Sequence, residues 1–432
     1  IILQFTRARY RVTESIPLVN GTINYTLPDL NIMALYINGE AAEELDSSKN
    51  YTLDTSRSTC TYKDGSTISN LSLSYDSSTK TFTISPYTTK GTKCTLYFNE
   101  VTSRPIIEVI EEAYANNPSI LAYDGTTDNN LRYIGADPSN YVYFNCDDYN
   151  NPSSDTCELW RIIGIFDENT HGVSGQRLVK LVRNEGIGEY SWDNKPSGIG
   201  SSTSSYGSNN WSDARLMMLL NPGYEEPNGD IYAYEGSLYY NARSGTCYSG
   251  SRGATVSCDF TNTGLKNDTT RDMIETVTWK LGGLSSNNNL ASTFYTAERG
   301  IDVYDSSRPT MWEGKIGLIY SSDYGYATSG GSTDDRNTCL STALSRWNTS
   351  SYVSADCRDN DWLNTGQLYY TITPTANTDD EIFRILRTGF VNVYGTYYAA
   401  SSTDAARPSL YLTSNITITG GSGTESDPYT LS

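Results

Sequence analysis

Eight cysteines fall into four successive pairs along this chain of 432 residues. The pairs are Cys60 with Cys94, Cys146 with Cys157, Cys247 with Cys258, and Cys339 with Cys357. None of these spacings resembles a CxxC or HxxxH zinc cluster, and the chain holds a single histidine, so disulfides between sequence neighbours are the simplest interpretation. Eight buried free thiols are the alternative. Disulfides predict an oxidising, extracellular location, because cytosolic proteins rarely keep them.

The composition excludes two classes of partner. The formal net charge is -19, and a surface this acidic is repelled by phosphate backbones, so we predict no nucleic-acid partner. The net charge of -19 also disfavours binding to anionic membrane surfaces. No stretch of the sequence is long and apolar enough to span a bilayer. Hydrophobic residues make up 37% of the chain, and many of them are tyrosines, which indicates a turn-rich and strand-rich protein.

The first residues form an apolar patch. Ile1, Leu3 and Phe5 share one face if the segment is a strand, because side chains alternate with period two. Such a face needs a groove, which belongs either to the same domain or to the next copy of the chain. In the second case a homopolymer results, because strand addition to a neighbour is heterologous and does not close. The remnant of a cleaved membrane anchor is the competing interpretation.

The chain divides into three predicted regions. Residues 1–102 carry short β-like runs separated by Asp, Asn, Gly and Ser turns, which predicts a small β-sandwich with an exposed apolar N-terminal strand. Residues 103–118 have an apolar stripe that begins at Ile106 and ends before Pro118, which predicts a connector helix. Residues 119–432 mix strands and helices without regular alternation, which predicts a large α+β module with irregular loops. The fold class is therefore β-rich α+β.

Individual elements follow from the same patterns. The predicted strands of the first region are Thr22–Leu27, Ile32–Ile37, Leu71–Tyr75, Thr81–Ile84 and Thr95–Phe98. The predicted strands of the last region are Tyr141–Phe144, Leu159–Phe166, Arg177–Arg183, Ile316–Tyr320, Tyr369–Thr373, Ile382–Arg387 and Leu410–Thr419. The predicted helices there are Ser212–Leu220, Thr269–Leu281 and Cys339–Trp347.

Several strings carry a resemblance to a known group of proteins. They are LRYIG at 131–135, YVYFN at 141–145, ELWRIIG at 158–164, SNNWS at 208–212, TAERG at 296–300, GLIYSSDYGYA at 317–327 and ARPSLYL at 406–412. From about residue 130 onwards the chain resembles uncharacterised secreted surface proteins of gut Firmicutes and their relatives. The string TKCTLYF at 92–98 is similar to the last strand of the small β-sandwich that precedes this module in such proteins. The resemblance implies a surface location and a C-type-lectin-like or formylglycine-generating-like fold, and it implies no active site.

The chain has few side chains of the types that commonly act in catalysis. The only histidine, His171, lies in a polar stretch that reads as a solvated hairpin loop, so a triad, a zinc site or a histidine base is not expected. Fifty acidic residues could include the pair of carboxylates that a glycosidase uses, but the sequence does not give the distance between two carboxylates. We therefore predict that the protein is not an enzyme.

A carbohydrate-binding lectin is a more specific alternative function than an enzyme. Glu226, Pro227 and Asn228 match the tripeptide with which C-type lectins hold calcium and sugar, but turn chemistry favours the interpretation of residues 221–229 as a turn. No Asx-rich stretch, such as Asp356–Asp361, matches an EF-hand loop, so calcium is an option that we do not predict. No other cofactor is expected.

The sequence thus predicts an extracellular, cell-surface structural protein. The leading hypothesis is a subunit of a fibre or pilus-like polymer that assembles through the N-terminal strand, with copies of itself as partners. The alternative is a monomeric adhesin or carbohydrate-binding, C-type-lectin-like protein whose partners are host or environmental glycans.

Overall fold

The computed structural model describes residues 8–9, 16–17, 29–47, 49–76, 80–86, 91–195, 207–225, 236–250, 253–347, 352–395 and 404–432. The chain forms two compact units, Ile1–Ser103 (unit 1) and Arg104–Ser432 (unit 2). Strands outnumber helices in both, so the prediction of a β-rich α+β chain is confirmed. No helix within the described ranges is long and apolar enough to cross a membrane.

Unit 1 consists of two sheets around one apolar core. Its described strands are β1 (Ala8–Arg9), β2 (Ile16–Pro17), β3 (Asp29–Ile37), β4 (Glu40–Ala42), β5 (Asn50–Leu53), β6 (Thr59–Tyr62), β7 (Ser72–Asp76), β8 (Thr81–Ser85) and β9 (Thr92–Val101). The larger sheet has the order β1-β3-β9-β5, with β4 beside β3 and β6 beside β9, and the smaller one has the order β2-β8-β7. β3 and β9 run parallel, and the other described pairs in unit 1 are antiparallel.

The core of unit 1 explains the pairing of its sheets. Leu96 and Phe98 alternate with outward residues along β9, and both are buried. Phe82 on β8 and Tyr75 on β7 face them from the smaller sheet, and the Tyr75 and Phe98 rings meet edge to face with their centroids 4.9 Å apart. Period-two alternation therefore supplies two apolar faces, which give a β-sandwich-like arrangement.

Unit 2 contains all the described helices. Its described strands are β10 (Arg104–Pro105), β11 (Leu121–Tyr123), β12 (Leu131–Tyr133), β13 (Tyr141–Phe144), β14 (Glu158–Phe166), β15 (Leu178–Arg183), β16 (Ser244–Tyr248), β17 (Thr255–Asp259), β18 (Val277–Lys280), β19 (Met311–Gly314), β20 (Ile316–Gly317), β21 (Leu368–Pro374), β22 (Glu381–Ile385), β23 (Val391–Gly395), β24 (Asp404–Ala405), β25 (Ser409–Tyr411), β26 (Thr417–Gly420) and β27 (Thr430–Leu431). Its described α-helices are α1 (Ile106–Asn116), α2 (Glu168–His171), α3 (Arg215–Leu220), α4 (Asp268–Asp272), α5 (Ala291–Glu298), α6 (Ser321–Tyr326), α7 (Arg336–Leu340) and α8 (Asp356–Asp359), and 3-10 turns lie at Trp211–Asp213 and Leu344–Arg346.

The main sheet of unit 2 organises its core. Its order is β11-β12-β14-β15-β25-β20, with β13 paired to β14. β14 and β15 are buried along nearly their whole length because other elements cover both faces. A second sheet, β23-β22-β21-β24, lies in the same unit, and α5 packs on it where the rings of Phe294 and Phe383 meet edge to face. Helix α1 also belongs to this core, since Ile106 and Ile110 are buried within it.

The four cysteine pairs of the sequence are the four disulfides of the structure. The Cys60–Cys94 bond joins β6 to β9 inside the core of unit 1, and the other three lie in unit 2. Such bonds indicate an oxidising, extracellular environment. In the chain-entropy description they stabilise each unit chiefly by restricting its unfolded chain.

Some sequence expectations differ from the structure. The helix expected over Thr269–Leu281 ends at Asp272, and the remainder contains strand β18, in which Val277 and Trp279 are buried on one face. The strand expected over Leu410–Thr419 is split into β25 and β26. The strand expected at Thr22–Leu27 and the tripeptide at 226–228 lie outside the described residues.

Candidate functional site

The larger sheet of unit 1 has a partly open edge along β3. On the side opposite β9, β1 pairs Ala8 with Leu30 and Arg9 with Asp29. On that same side, β4 pairs with the far end of β3, from Leu35 to Ile37. Between these contacts, no described strand pairs with residues 31–34 on this side of β3, whereas their other side faces β9. Unpaired backbone N–H and C=O groups at such an edge are a template for another strand.

Met33 marks the centre of this open edge. It is 57% exposed, while Leu35 two positions along is buried in the core. The pairing of β3 with β9 shifts register between Ile32 and Ala34, so Met33 has no partner on β9. An extra residue of this kind bends a strand and turns its side chain outward. A large apolar side chain is thereby presented to solvent beside unpaired backbone groups.

The pairings of β1 and β4 set the length of the unpaired stretch of β3. Ala8 pairs with Leu30, and Leu35 pairs with Ala42, so a further strand has room beside residues 31–34. The predicted assembly residues Ile1, Leu3 and Phe5 lie outside the described residues.

Unit 2 contains a different feature, a cluster of four buried charges on β12, β15, α6 and the end of β11. Arg132 donates to Asp124 Oδ2 at 2.8 Å and to Asp323 Oδ1 at 2.6 Å, and Lys180 Nζ donates to Asp323 Oδ2 at 2.6 Å. All four side chains are at most 1% exposed. Two cations and two anions balance, and the ion pairs connect β12, β15, α6 and the end of β11.

The pKa values of this cluster follow from burial and from the neighbouring charges. Burial alone would raise the pKa of Asp323, but Lys180 and Arg132 outweigh it and hold that pKa at about 2. Burial lowers the pKa of Lys180 to about 8 against the attraction of Asp323. Both groups therefore remain charged at neutral pH. Four aromatic rings surround the ammonium group, those of Phe166, Trp279, Tyr320 and Tyr411.

A buried carboxyl group adjoins the cluster. Glu298, at the end of α5, accepts hydrogen bonds from the Ser322 backbone N–H at 3.1 Å and from Thr373 Oγ1 at 2.8 Å, and the Ser322 hydroxyl also donates to it. Burial raises the pKa of Glu298 to about 7. The cluster and Glu298 are enclosed. This arrangement therefore supports a structural role, in which it holds α5 and α6 against the sheets.

The prediction for His171 was wrong. The residue ends helix α2 and is fully buried, with its ring against that of Tyr411. Its Nε2 lies 3.2 Å from the Phe166 carbonyl oxygen, and its Nδ1 accepts a hydrogen bond from the Val173 N–H. Burial lowers the pKa of His171 to about 4, so the ring is neutral at pH 7. The polar residues around it suggested a solvated loop, but an Asp167 cap starts a short helix that turns the ring inward.

The sequence reasoning also missed the charge cluster. A signal for Lys180 was present, because it interrupts an apolar run from Leu178 to Val182 that is otherwise typical of a buried strand. No signal identified Asp323 as its partner, since it lies far along the chain. Among the described residues, no group of three His, Cys, Asp or Glu side chains is arranged to hold a metal ion.

Comparisons with protein-family models, with curated proteins and with solved structures each return no match.

Proposed function

We propose that this chain is an extracellular structural protein, a subunit of a cell-surface fibre. In this proposal the apolar N-terminal segment of one copy adds as a strand to the open β3 edge of the next copy. In this arrangement the N-terminal β-sandwich predicted over 1–102 carries the assembly surfaces, and unit 2, which includes helix α1, is the displayed surface module. The resemblance of that module to secreted surface proteins of gut Firmicutes supports the location.

The observation that carries the proposal is the four-residue gap in pairing, among the described residues, along the edge of β3 opposite β9. The two described residue pairs of β1 cover the adjoining end of β3, and an incoming strand that replaced them could pair with residues 29–34. A six-residue donor strand fits this length, and residues 1–6 carry the apolar face of Ile1, Leu3 and Phe5. Burying each of these side chains in a neighbour contributes roughly 1.5–3 kcal/mol.

Paired variants on the two surfaces test this assembly. Leu3→Asp with Phe5→Asp should disable the donor strand, and Met33→Glu should disable the edge, because a charge there opposes strand addition. Each variant alone should be a monomer by size-exclusion chromatography with light scattering, while the wild type forms fibres in electron micrographs. An equimolar mixture of the two should stop at dimers, since one intact donor and one intact edge allow a single contact.

The matched control is Met311→Glu, which places the same charge at a comparably exposed methionine of unit 2. It should assemble like the wild type. A wild-type protein that stays monomeric at every concentration would refute the fibre and leave the monomeric adhesin. Fibres formed equally well by the Leu3→Asp and Phe5→Asp variant would refute the donor strand itself.

A further inference from the structure

Unit 2 carries an open groove beside the segment from Asp302 to Tyr304. Gly283, Leu284, Ser286, Thr293 and Asp302 are among the residues that line it. Its volume is about 480 Å³, which falls within the range of ligand sites in proteins. The side chains of Ser286, Thr293 and Asp302 are exposed, so the groove presents hydroxyl and carboxylate groups to solvent.

A second, narrower hollow adjoins the groove, since Val303 lines both. Tyr304, Trp211 and Arg308 line this hollow. Its volume is about 10 Å³, enough for about one water molecule or one hydroxyl group. The hollow therefore has room for a single hydroxyl group of a larger ligand and is too small for a sugar ring.

The walls of the groove are held by backbone contacts. The N–H of Gly283 donates to the Asp302 carbonyl at 2.8 Å, and the N–H of Ala376 donates to the Leu284 carbonyl at 2.8 Å. A Cβ atom at Gly283 would lie 2.5 Å from the Pro374 carbonyl oxygen, so the close approach of these segments requires glycine there. Arg308 is fixed as well, since it donates to the Asp379 carbonyl and to Asn209 Oδ1. The groove is therefore preformed.

Two large apolar side chains are exposed on the segment that contains Val303. Ile301 is 81% exposed, and Tyr304, which lines the hollow, is 39% exposed. An apolar surface next to a polar concave one suits a ligand that has both kinds of face. A tyrosine in this position offers a ring face and a hydroxyl group with little loss of conformational entropy.

We propose that the Asp302 groove binds a neutral oligosaccharide. Sugar hydroxyls both donate and accept, which matches the Ser286 and Thr293 hydroxyls and the acceptor carboxylate of Asp302. The apolar face of a sugar ring suits the exposed ring of Tyr304. The net charge of -19, together with Asp302 and the neighbouring Asp305, disfavours acidic sugars. This site is independent of the β3 edge, because it lies wholly in unit 2.

A glycan array of neutral and acidic oligosaccharides, probed with the full chain, gives the first test. Binding should be confined to neutral glycans, and the best of them should then be titrated by calorimetry. Tyr304→Ala should weaken the affinity at least tenfold by removing the ring face. Thr293→Trp, on the exposed side of α5, should do the same by filling the groove without disturbing the core.

The matched control is Tyr352→Ala, which removes a tyrosine that is 57% exposed and lines neither the groove nor the hollow. Its affinity should stay within twofold of the wild type, and the melting temperature of every variant should confirm folding. Absence of neutral-glycan binding, binding of acidic glycans alone, or an affinity that survives both groove variants would each overturn the proposal. A peptide or protein that binds in the groove in place of sugars would overturn it too.

Discussion

Unit 1 and unit 2 are both β-rich, but their interiors are built from different kinds of contact. In the described part of unit 1 the buried polar residues are Ser58 and Thr92, and no charged side chain is buried. Unit 2 buries Arg132, Lys180 and Asp323 together, and it holds three of the four disulfides. An apolar core tolerates exchange of similar side chains, whereas a buried charge depends on one particular partner. The interior of unit 2 therefore depends more on particular pairs of side chains than the interior of unit 1 does.

Among the variants that test this difference between the two interiors, Lys180→Met should cause the largest loss of stability. The change leaves Asp323 with one cation fewer in a buried site, so the free energy of unfolding of unit 2 should fall by about 3–5 kcal/mol. Guanidinium titration followed by tryptophan fluorescence measures it, because all seven tryptophans lie in unit 2. Arg177→Met is the control, since its ion pair with Glu111 is half exposed and contributes at most about 1 kcal/mol.

The double variant Lys180→Met with Asp323→Asn separates charge imbalance from lost packing. It should recover part of the stability, because the remaining pair of Arg132 and Asp124 is balanced. If Lys180→Met lowered the free energy of unfolding no more than Arg177→Met does, unit 2 would not depend on its buried charges more than on exposed ones.

A somewhat smaller effect is expected when one disulfide is removed from each unit. In the chain-entropy description, replacing Cys60 and Cys94 by alanine should destabilise unit 1 by about 4 kcal/mol, and replacing Cys247 and Cys258 should destabilise unit 2 by about 3 kcal/mol. The difference arises because the first bond closes a separation of 34 residues and the second one of 11. Hydrogen exchange measured by mass spectrometry resolves both units in one experiment. Equal losses would show that loop length is not the controlling quantity.

The smallest effect concerns pH and should appear in unit 2 alone. Burial raises the pKa of Glu298 from its ordinary value of 4.5 to about 7 in the folded chain, so the folded state binds the proton more tightly than the unfolded state. This group therefore favours folding below about pH 4.5, and its contribution is lost as the pH rises towards 7, by at most about 1.4 kcal/mol per pH unit. Glu298→Gln should remove that slope.

The measurement is the difference in unfolding free energy between wild type and Glu298→Gln at several pH values between 4.5 and 7. His171 shifts in the opposite direction, because its folded pKa of about 4 favours folding above pH 6.5 and this contribution is lost as the pH falls towards 4. Taking the difference between the two proteins cancels the histidine, which both contain. A difference in unfolding free energy that does not change with pH would mean that burial does not raise the pKa of Glu298.

Local patterns allowed part of this structure to be predicted. The strand at Tyr141–Phe144 has the predicted bounds, and alternation likewise located β9, because short-range periodicity determines both. The stretch from Thr269 to Leu281 failed because its apolar spacing suits a helix, while Val277 and Trp279 are held as a strand by pairing with β19. Partners that lie far apart, such as Lys180 and Asp323, leave no local pattern. The gap along β3 also depends on register, which the sequence did not specify.

The parallel pairing of β3 with β9 also determines when unit 1 can form. Leu35 pairs with Leu96, and the intervening chain must be complete before these two strands meet. At a synthesis rate of about 5–20 residues per second, β3 waits several seconds for its partner, and non-local pairing of this kind forms slowly in any case. During that delay the edge of β3 that later pairs with β9 is open to wrong strands. A holding chaperone that binds residues 32–37 while the chain emerges should therefore increase the yield of folded protein.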